Sequence, residues 1–209
     1  MATEIEIKLG VPDKETLDRI ALDSELTQYM RDDFEIRTMR STYYDTPDHQ
    51  LAKRLWTLRL RDEGGVLVAA FKTANQDDKA GFFTRGEWQC FAGSIEEAIP
   101  TLIEQGAPNE LMDIVSMSSL SAVCGAEFTR SSNCLFMDDG VRIELALDYG
   151  FLFNGQYKAP ICEAELELMY GDAGSLMPIS QQLCETYGLC EESDSKYVRA
   201  KQLGNCKDE

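Results

Sequence analysis

In the segment Thr3-Glu4-Ile5-Glu6-Ile7-Lys8-Leu9, polar and apolar side chains alternate from Glu4 onward. This period of two is typical of a β-strand, in which successive side chains point to opposite faces of a sheet. One face then carries two carboxylates and an ammonium group, and the other carries three aliphatic side chains. Because the same pattern recurs in 57–61, 141–149 and 161–168, the sequence predicts a sheet with several charged strand faces.

Segments with strand-like alternation occur along most of the chain. They lie at 3–9, 34–44, 56–62, 66–73, 82–91, 127–137, 141–149 and 160–169. Asp138-Asp139-Gly140 and Asn154-Gly155 separate neighbouring segments in the manner of hairpin turns, which join antiparallel strands. We therefore expect eight strands with largely antiparallel pairing.

Helices are predicted between the strands and after the last of them, at 13–23, 95–105, 109–117, 174–187 and 194–203. Ser94 and Glu97 have the spacing of a capping box at the start of the second helix. Gly188 is suited to a left-handed end of the fourth helix, and Asp194 to capping the last. The chain is thus predicted to be α+β, a single domain over residues 1–209.

Composition restricts the classes of function. The formal net charge is −17, so the averaged field repels nucleic acid and anionic membranes. No apolar run is long enough to cross a membrane, and the first residues lack the features of a signal peptide. The seven cysteines include no C-x-x-C pair and are expected to be reduced. We expect a cytoplasmic protein that binds neither nucleic acid nor membrane.

The charged strand faces allow two arrangements. They contact water outside an apolar barrel, or they line the interior of a wider barrel whose apolar outer face is covered by helices. The alternation alone favours the first arrangement, because half-buried antiparallel sheets commonly alternate in this way.

Carboxylates on the first strand have a spacing that suits a shared metal site. Glu4 and Glu6 lie on one face, about 6.7 Å apart for an extended strand. The segment Glu163-Ala164-Glu165-Leu166-Glu167 is the expected complement for an octahedral shell. With His49 as the single histidine, oxygen ligands point to Mg²⁺, Mn²⁺ or Ca²⁺. A solvated charged face is the alternative to a metal site.

Further motifs follow the opening strand in order. They are Tyr44-Asp45-Thr46-Pro47, Leu58-Arg59-Leu60-Arg61, Lys72, Arg85-Gly86-Glu87, Phe128-Thr129-Arg130, Ile143-Glu144-Leu145-Ala146-Leu147-Asp148, Ala164-Glu165-Leu166-Glu167-Leu168 and Ser195-Lys196-Tyr197. With Glu4, Glu6 and Lys8, this series resembles the CYTH family, also called triphosphate tunnel metalloenzymes, over nearly the whole chain. The part from Phe128 to Gly171 is similar to the bacterial inorganic triphosphatase branch. The resemblance implies a closed eight-stranded antiparallel β-barrel, a tunnel with a polar charged interior, flanked by helices.

The resemblance also implies roles for individual residues. The positions that match the family's metal ligands are Glu4, Glu6, Asp148, Glu165 and Glu167, with Glu163 in phase but unassigned. The positions that match its phosphate-binding bases are Lys8, Arg59, Arg61, Lys72, Arg85 and Arg130. The residues expected to act in catalysis are Lys8, Arg59, Arg61, Lys72 and Lys196, the last a lysine that faces the tunnel in the family.

The function implied is metal-dependent hydrolysis of tripolyphosphate to pyrophosphate and phosphate, with two Mg²⁺ or Mn²⁺ ions. The alternatives are a class IV-like adenylyl cyclase, a thiamine triphosphatase, and a non-catalytic module that binds polyphosphate or nucleotide. The sequence leaves the oligomeric state open. The carboxylates Glu4, Glu6, Glu165 and Glu167 are all present at positions that match the family's metal ligands. Their presence favours an enzyme over a binding module.

Other residues have simpler interpretations. Gln89 departs from the family, which often places a glutamate there. His49 is expected at the surface in a short helix, and Trp56 and Trp88 are expected to pack in the barrel wall. Tyr43 and Tyr44 are expected to brace the turn at Asp45.

Overall fold

The computed structural model describes residues 2–74 and 83–204, and its architecture is a β-sheet closed on itself. The strands are β1 (Ala2–Gly10), β2 (Glu35–Asp45), β3 (Thr57–Glu63), β4 (Leu67–Lys72), β5 (Phe83–Phe91), β6 (Ser121–Phe136), β7 (Arg142–Asn154), β8 (Tyr157–Tyr170) and β9 (Cys190–Glu191). They are ordered β5-β4-β3-β2-β6-β7-β8-β1, and β1 also pairs with β5. The pairings are antiparallel, which confirms the predicted closed eight-stranded barrel.

The short strand β9 lies outside the eight. It pairs with Leu9 and Gly10 at the end of β1, whereas β5 pairs with the first half of β1, Ala2 to Glu6. The two predicted hairpins are present. Residues 137–141 join β6 to β7, and Gly155 with φ 58° begins the two-residue loop between β7 and β8.

Six α-helices accompany the barrel in the described residues. They are α1 (Lys14–Ala21), α2 (Ser24–Thr27), α3 (Ile95–Glu104), α4 (Glu110–Met117), α5 (Leu176–Tyr187) and α6 (Lys196–Gln202), with 3₁₀ turns at Ala52–Arg54 and Ala173–Ser175. Ser94 caps α3 by accepting a hydrogen bond from the Glu97 backbone N–H, as predicted, whereas the Glu97 side chain accepts from the Gly93 N–H and not from that of Ser94. Gly188 ends α5 with φ 68°, also as predicted. The predicted cap Asp194 is wrong, because the extended residue Ser195 takes this position and accepts from the Val198 N–H.

Helices cover the outer face of the barrel on two sides. Apolar residues of β1, β7 and β8 pack with α1 and α5 in one buried cluster. Those of β3, β4 and β5 pack with α3 and α4 in a second, where Trp88 and Trp56 contact Phe71 with ring centroids 5.8 and 5.2 Å apart. Both tryptophans are therefore wall residues, as predicted. These two covers leave the charged strand faces on the inside.

The C-terminal helix α6 enters one end of the barrel. Tyr197 and Ala200 are buried there against inward-facing residues, namely Met39, Tyr43, Cys124, Ala126, Phe128, Leu152 and Ile161. The interior is therefore apolar at this end and charged further along. Two strands are longer than the sequence predicts in the same region, since β6 begins at Ser121 and β7 ends at Asn154.

Some smaller features also bear on the predictions. No helix in the described part of the chain is long and apolar enough to cross a membrane. Six of the seven cysteines are free thiols, and Cys206 lies outside the described residues. His49 has an exposed side chain, as predicted, but it lies in a turn with φ 58° and not in a helix.

Candidate active site

The barrel interior contains a charged cavity with a volume of about 250 Å³. Its lining includes eleven of the predicted site residues, namely Glu4, Glu6, Lys8, Arg59, Arg61, Lys72, Arg85, Arg130, Glu165, Glu167 and Lys196. Asp148 is fully buried behind this lining. The charged strand faces point inward, so the arrangement that alternation alone favoured, with charges on the outside, is wrong. Apolar outer faces and helical cover are the physical reason.

One wall of the cavity is built by β1, β5 and β4. The carboxylate of Glu4 accepts hydrogen bonds from Lys72 Nζ at 2.5 Å and Arg85 Nε at 2.7 Å. Burial alone would raise the pKa of Glu4, but these two cations lower it to about 2. Lys72 also lies 3.2 Å from Glu87, which accepts a 2.7 Å hydrogen bond from Gln89. The amide at position 89 thus gives this wall a donor where a glutamate would repel Glu87.

A second wall is an ion-pair network across β6, β7 and β8. Arg130 donates to both oxygens of Asp148 at 2.8 and 2.6 Å and also contacts Glu165. Lys196, at the start of α6, lies 2.7 Å from Asp148 and 2.9 Å from Glu165. Burial opposes the charged forms, yet the cations hold the pKa of Glu165 well below its usual range and the carboxylates raise that of Lys196.

A third feature is a row of carboxylates on β1, β8 and β7, of which Glu6 also contacts Lys8 and Arg85. Glu167 on β8 is register-paired with Glu6 on β1 and with Glu144 on β7. Burial and the nearby acids, first Glu4, raise the pKa of Glu167 to about 8 although Lys72 opposes the shift. Within residues 2–74 and 83–204, Glu167 forms no ion pair. Burial among other acids disfavours the ionised form of Glu167, and a divalent cation bound beside it would remove this repulsion.

Arginines form a positive surface inside the same cavity. Arg59 has a buried Nε without a hydrogen-bond partner among the described residues. Burial together with the charges of Arg59 and Arg130 lowers the pKa of Arg61 to about 10, although its contact with Glu63 opposes this. Cations crowded in this way favour an anion with several oxygens, since guanidinium groups bind phosphate in bidentate fashion.

The motif at Asp45 has a structural explanation. Its fully buried carboxylate accepts hydrogen bonds from the backbone N–H groups of Thr46, Leu51 and Ala52 at 2.8, 2.9 and 3.2 Å. The loop from β2 to β3 is therefore fixed by one side chain, and Arg59 follows directly in β3. The rings of Tyr43 and Tyr197 pack with their centroids 5.2 Å apart, so Tyr43 contacts α6.

Sequence reasoning assigned no role to some cavity residues. Glu144 and Glu87 line the cavity, and each shares a strand face with an assigned residue, a signal that was available. Arg142 has the same phase as Glu144, but a register shift at Arg142/Ile143 leaves it exposed, 5.7 Å from the Phe136 ring. Its alternation was therefore misleading.

The closed barrel with a bore of acids and bases defines a tunnel-type protein, and comparisons with known proteins agree. A sequence model of the CYTH domain matches residues 2–200, so the chain belongs to the CYTH family. The inorganic triphosphatase of Haemophilus influenzae is 30% identical over 209 residues, covering 98% of this chain and 56% of that protein. This chain thus spans about half the length of that curated relative.

Solved structures share the fold at lower identity. An adenylyl cyclase candidate from Hippeastrum with a dominant triphosphatase activity has a TM-score of 0.65 and 16% identity, with 95% of each chain covered. An adenylate cyclase candidate from Bacillus halodurans has a TM-score of 0.57 and 22% identity, with 95% of this chain and 98% of that chain covered. At these identities the likeness extends to the fold alone.

Proposed function

We propose that this protein is an enzyme that hydrolyses tripolyphosphate to pyrophosphate and phosphate, and that it requires Mg²⁺ or Mn²⁺. The observation that carries the proposal is the pairing of two opposite surfaces in one cavity. Arg59 and Arg61 present positive charge, while Glu6, Glu144 and Glu167 form a carboxylate row. A phosphate chain with its divalent cations matches both surfaces, and the triphosphatase of Haemophilus influenzae supports this choice.

The bases have distinct roles in this proposal. Arg59, Arg61 and Arg130 bind phosphate oxygens and stabilise charge that develops on the leaving group. Lys8 lies 3.6 Å from Glu6 and 3.8 Å from Glu165, between the two acidic strands. It therefore contributes a cation where phosphate and carboxylates meet. Lys72 and Arg85 neutralise Glu4 and line the cavity, where they also bind phosphate in this proposal.

The proposed metal ligands are Glu6 and Glu167, with Glu144 beside them, and with Glu4 and Glu165 at the edges of the row. When bound, a divalent cation supplies charge neutralisation at the phosphate oxygens and a site for the attacking water. The chain then needs only to orient substrate and water for in-line displacement, without a covalent nucleophile. Lys196 contacts Asp148 and Glu165, and in this proposal its ammonium group also binds the phosphoryl group that the water attacks.

A second candidate is hydrolysis of an organic triphosphate. An apolar cavity of about 520 Å³ adjoins the charged one and shares Thr57, Arg85, Ser195 and Tyr197 with it. Leu55 and Val198 contribute apolar surface there. Such a space favours an organic substituent at one end of a phosphate chain.

A substrate panel tests the proposal. Tripolyphosphate, ATP and thiamine triphosphate are each supplied with Mg²⁺ or Mn²⁺, and phosphate, pyrophosphate and cyclic AMP are measured separately. We expect tripolyphosphate to be turned over well above the others, with equal amounts of phosphate and pyrophosphate. Cyclic AMP as the main product from ATP would overturn the proposal, and a preference for thiamine triphosphate would favour the second candidate.

A further inference from the structure

Glu163 is fully buried on the inward face of β8, yet its two oxygens contact cations of a different element. Lys196 Nζ donates to Oε1, and the Arg199 guanidinium donates to Oε2. Both cations belong to α6, and they lie three residues apart on one face of that helix. Glu163 therefore connects the barrel wall to the helix that enters the barrel end.

The position of Glu163 also resembles that of a metal ligand. Oxygens of Asp148, Glu163 and Glu165 lie within 4.8 Å of one another, which is close enough to surround a cation. However, Lys196 Nζ already contacts all three carboxylates, at 2.7 Å from Asp148 and 2.9 Å from Glu165. A metal ion here would have to displace the ammonium group of Lys196.

Arg199 extends the connection to a third element. Its other terminal nitrogen lies 3.2 Å from Glu192, which follows β9. The backbone N–H of Glu192 in turn donates to the carbonyl of Lys8 at 2.9 Å. The guanidinium thus spans β8 and the segment attached to β1, the two strands that carry most of the proposed metal ligands.

The helix needs such a constraint. α6 has seven residues, and its buried apolar contacts come from Tyr197 and Ala200. A short helix of this kind has little intrinsic stability in water. Since Lys196 is its first residue, a small rotation or shift of α6 would move the ammonium group away from Asp148 and Glu165.

We propose that Glu163 and Arg199 are positioning residues, which seat α6 so that Lys196 faces the cavity, and that Glu163 is not a metal ligand. The catalytic part of this proposal rests on the proposed function. The seating of α6 does not, so it has an independent test.

The experiment compares Glu163→Gln and Arg199→Met with the parent protein. The matched controls are Glu127→Gln and Arg40→Met, which remove an exposed ion pair of 3.1 Å from the outside of the barrel. For each protein we measure kcat and KM for tripolyphosphate, Mn²⁺ binding by electron paramagnetic resonance, and amide hydrogen exchange in α6 without substrate.

Both site variants are expected to exchange α6 amides at least about tenfold faster and to lose about tenfold or more in kcat, the scale of a displaced catalytic group. Mn²⁺ affinity and KM should change less than about twofold, because the metal and phosphate ligands remain. The combined loss in kcat for the double variant should be smaller than the product of the two single losses, because both substitutions remove the contact between Glu163 and Arg199. Neither control should differ from the parent.

Other outcomes would overturn the proposal. A loss of Mn²⁺ affinity in Glu163→Gln but not in Arg199→Met would make Glu163 a ligand. Unchanged α6 exchange and kcat, with only a lower melting temperature, would make the pair purely structural. If the parent protein does not hydrolyse tripolyphosphate, the proposed function fails. The amide exchange rates of α6 and the Mn²⁺ affinities of the variants still decide whether Glu163 holds the helix in position.

Discussion

The surroundings of Arg59 indicate that the cavity binds an anion. Its Nε is buried without a partner among the described residues, whereas the neighbouring inward arginine Arg61 contacts Glu63. A buried donor that lacks a partner costs free energy unless a ligand supplies one. The most direct explanation is an anion that arrives with the substrate.

Arg59→Ala is therefore expected to lower kcat/KM for tripolyphosphate by about 10² or more, the effect of removing a preorganised electrostatic donor. Steady-state kinetics at saturating Mg²⁺ measure this loss. Arg54→Ala is the control, because Arg54 is exposed and contacts Gln50 outside the tunnel. Activity of Arg59→Ala within a factor of two of the parent would show that the substrate does not contact this arginine.

Glu165 and Glu167 point into the same cavity but have opposite electrostatic surroundings. Cations hold the pKa of Glu165 well below its usual range, after outweighing burial, while burial and other acids raise that of Glu167 to about 8. In metal-free protein, Glu167→Gln should raise the melting temperature at pH 8 and Glu165→Gln should lower it. Thermal melts in chelator measure both, and a lower melting temperature for Glu167→Gln would contradict the repulsion.

The same pair predicts opposite pH dependence. Between pH 4.5 and about 8 the unfolded chain loses the Glu167 proton first, so the folded state becomes less stable as pH rises. Glu165 contributes stability above its unfolded pKa, which is lost only as the pH falls through its lower folded pKa. We expect the difference in melting temperature between Glu167→Gln and the parent to grow from pH 5 to pH 8. A difference that is constant with pH would exclude a raised pKa at Glu167.

Among the elements, β6 and β7 show where sequence patterns stop being informative. Alternation located the charged central parts of these strands but missed Ser121–Ala126 and the end of β7. There the inward residues Cys124, Ala126 and Leu152 are apolar because α6 packs on them. The change from polar to apolar inside the barrel depends on a helix far along the chain, which no local period reports.

The sequence predicted many of the residues of the candidate site but not all of the contacts between them. Motif order brought together residues from β1, β3 and β8 that do line one cavity. The resemblance predicted that the charged faces point inward, whereas alternation did not. An alternating strand has the same pattern whichever of its two faces points into the barrel. The contact between Glu163 and Arg199 joins residues of different elements, and only the folded chain brings them together.

The loop from β2 to β3 gives a prediction at this scale. Asp45→Asn replaces one accepting oxygen by a donor that faces backbone N–H groups, so it should destabilise the protein by about 1–3 kcal/mol. Denaturant unfolding measures this change. Asp48→Asn is the control, since Asp48 is exposed and its partners are the side chains of Thr46 and Gln50. Equal effects of the two substitutions would mean that the buried carboxylate does not fix the loop.

At the scale of the whole molecule, charge is separated between the outside and the bore. The chain has a net charge of −17, yet Arg59, Arg61 and Arg130 are concentrated inside the barrel. An acidic exterior disfavours nonspecific binding to polyanions, whereas the bases that line the cavity offset its acids, so a short phosphate chain with divalent cations is not repelled there in the proposed function. Closure of the sheet by the β1–β5 pairing is what keeps the two environments apart.

In the proposed function the carboxylate row binds divalent cations, so we expect these cations to stabilise the whole barrel. A ligand that binds only the folded state stabilises it by about 2.7 kcal/mol at a hundred times its Kd, so Mg²⁺ or Mn²⁺ should raise the melting temperature of chelator-treated protein. Glu6→Gln and Glu167→Gln should each remove most of this increase, because they delete central members of the row. Glu163→Gln should retain it, since both oxygens of Glu163 contact cations of α6. Calorimetry with and without Mn²⁺ measures the increase in melting temperature for each variant. If Glu163→Gln loses this increase as fully as Glu167→Gln, the metal binds among Asp148, Glu163 and Glu165 instead.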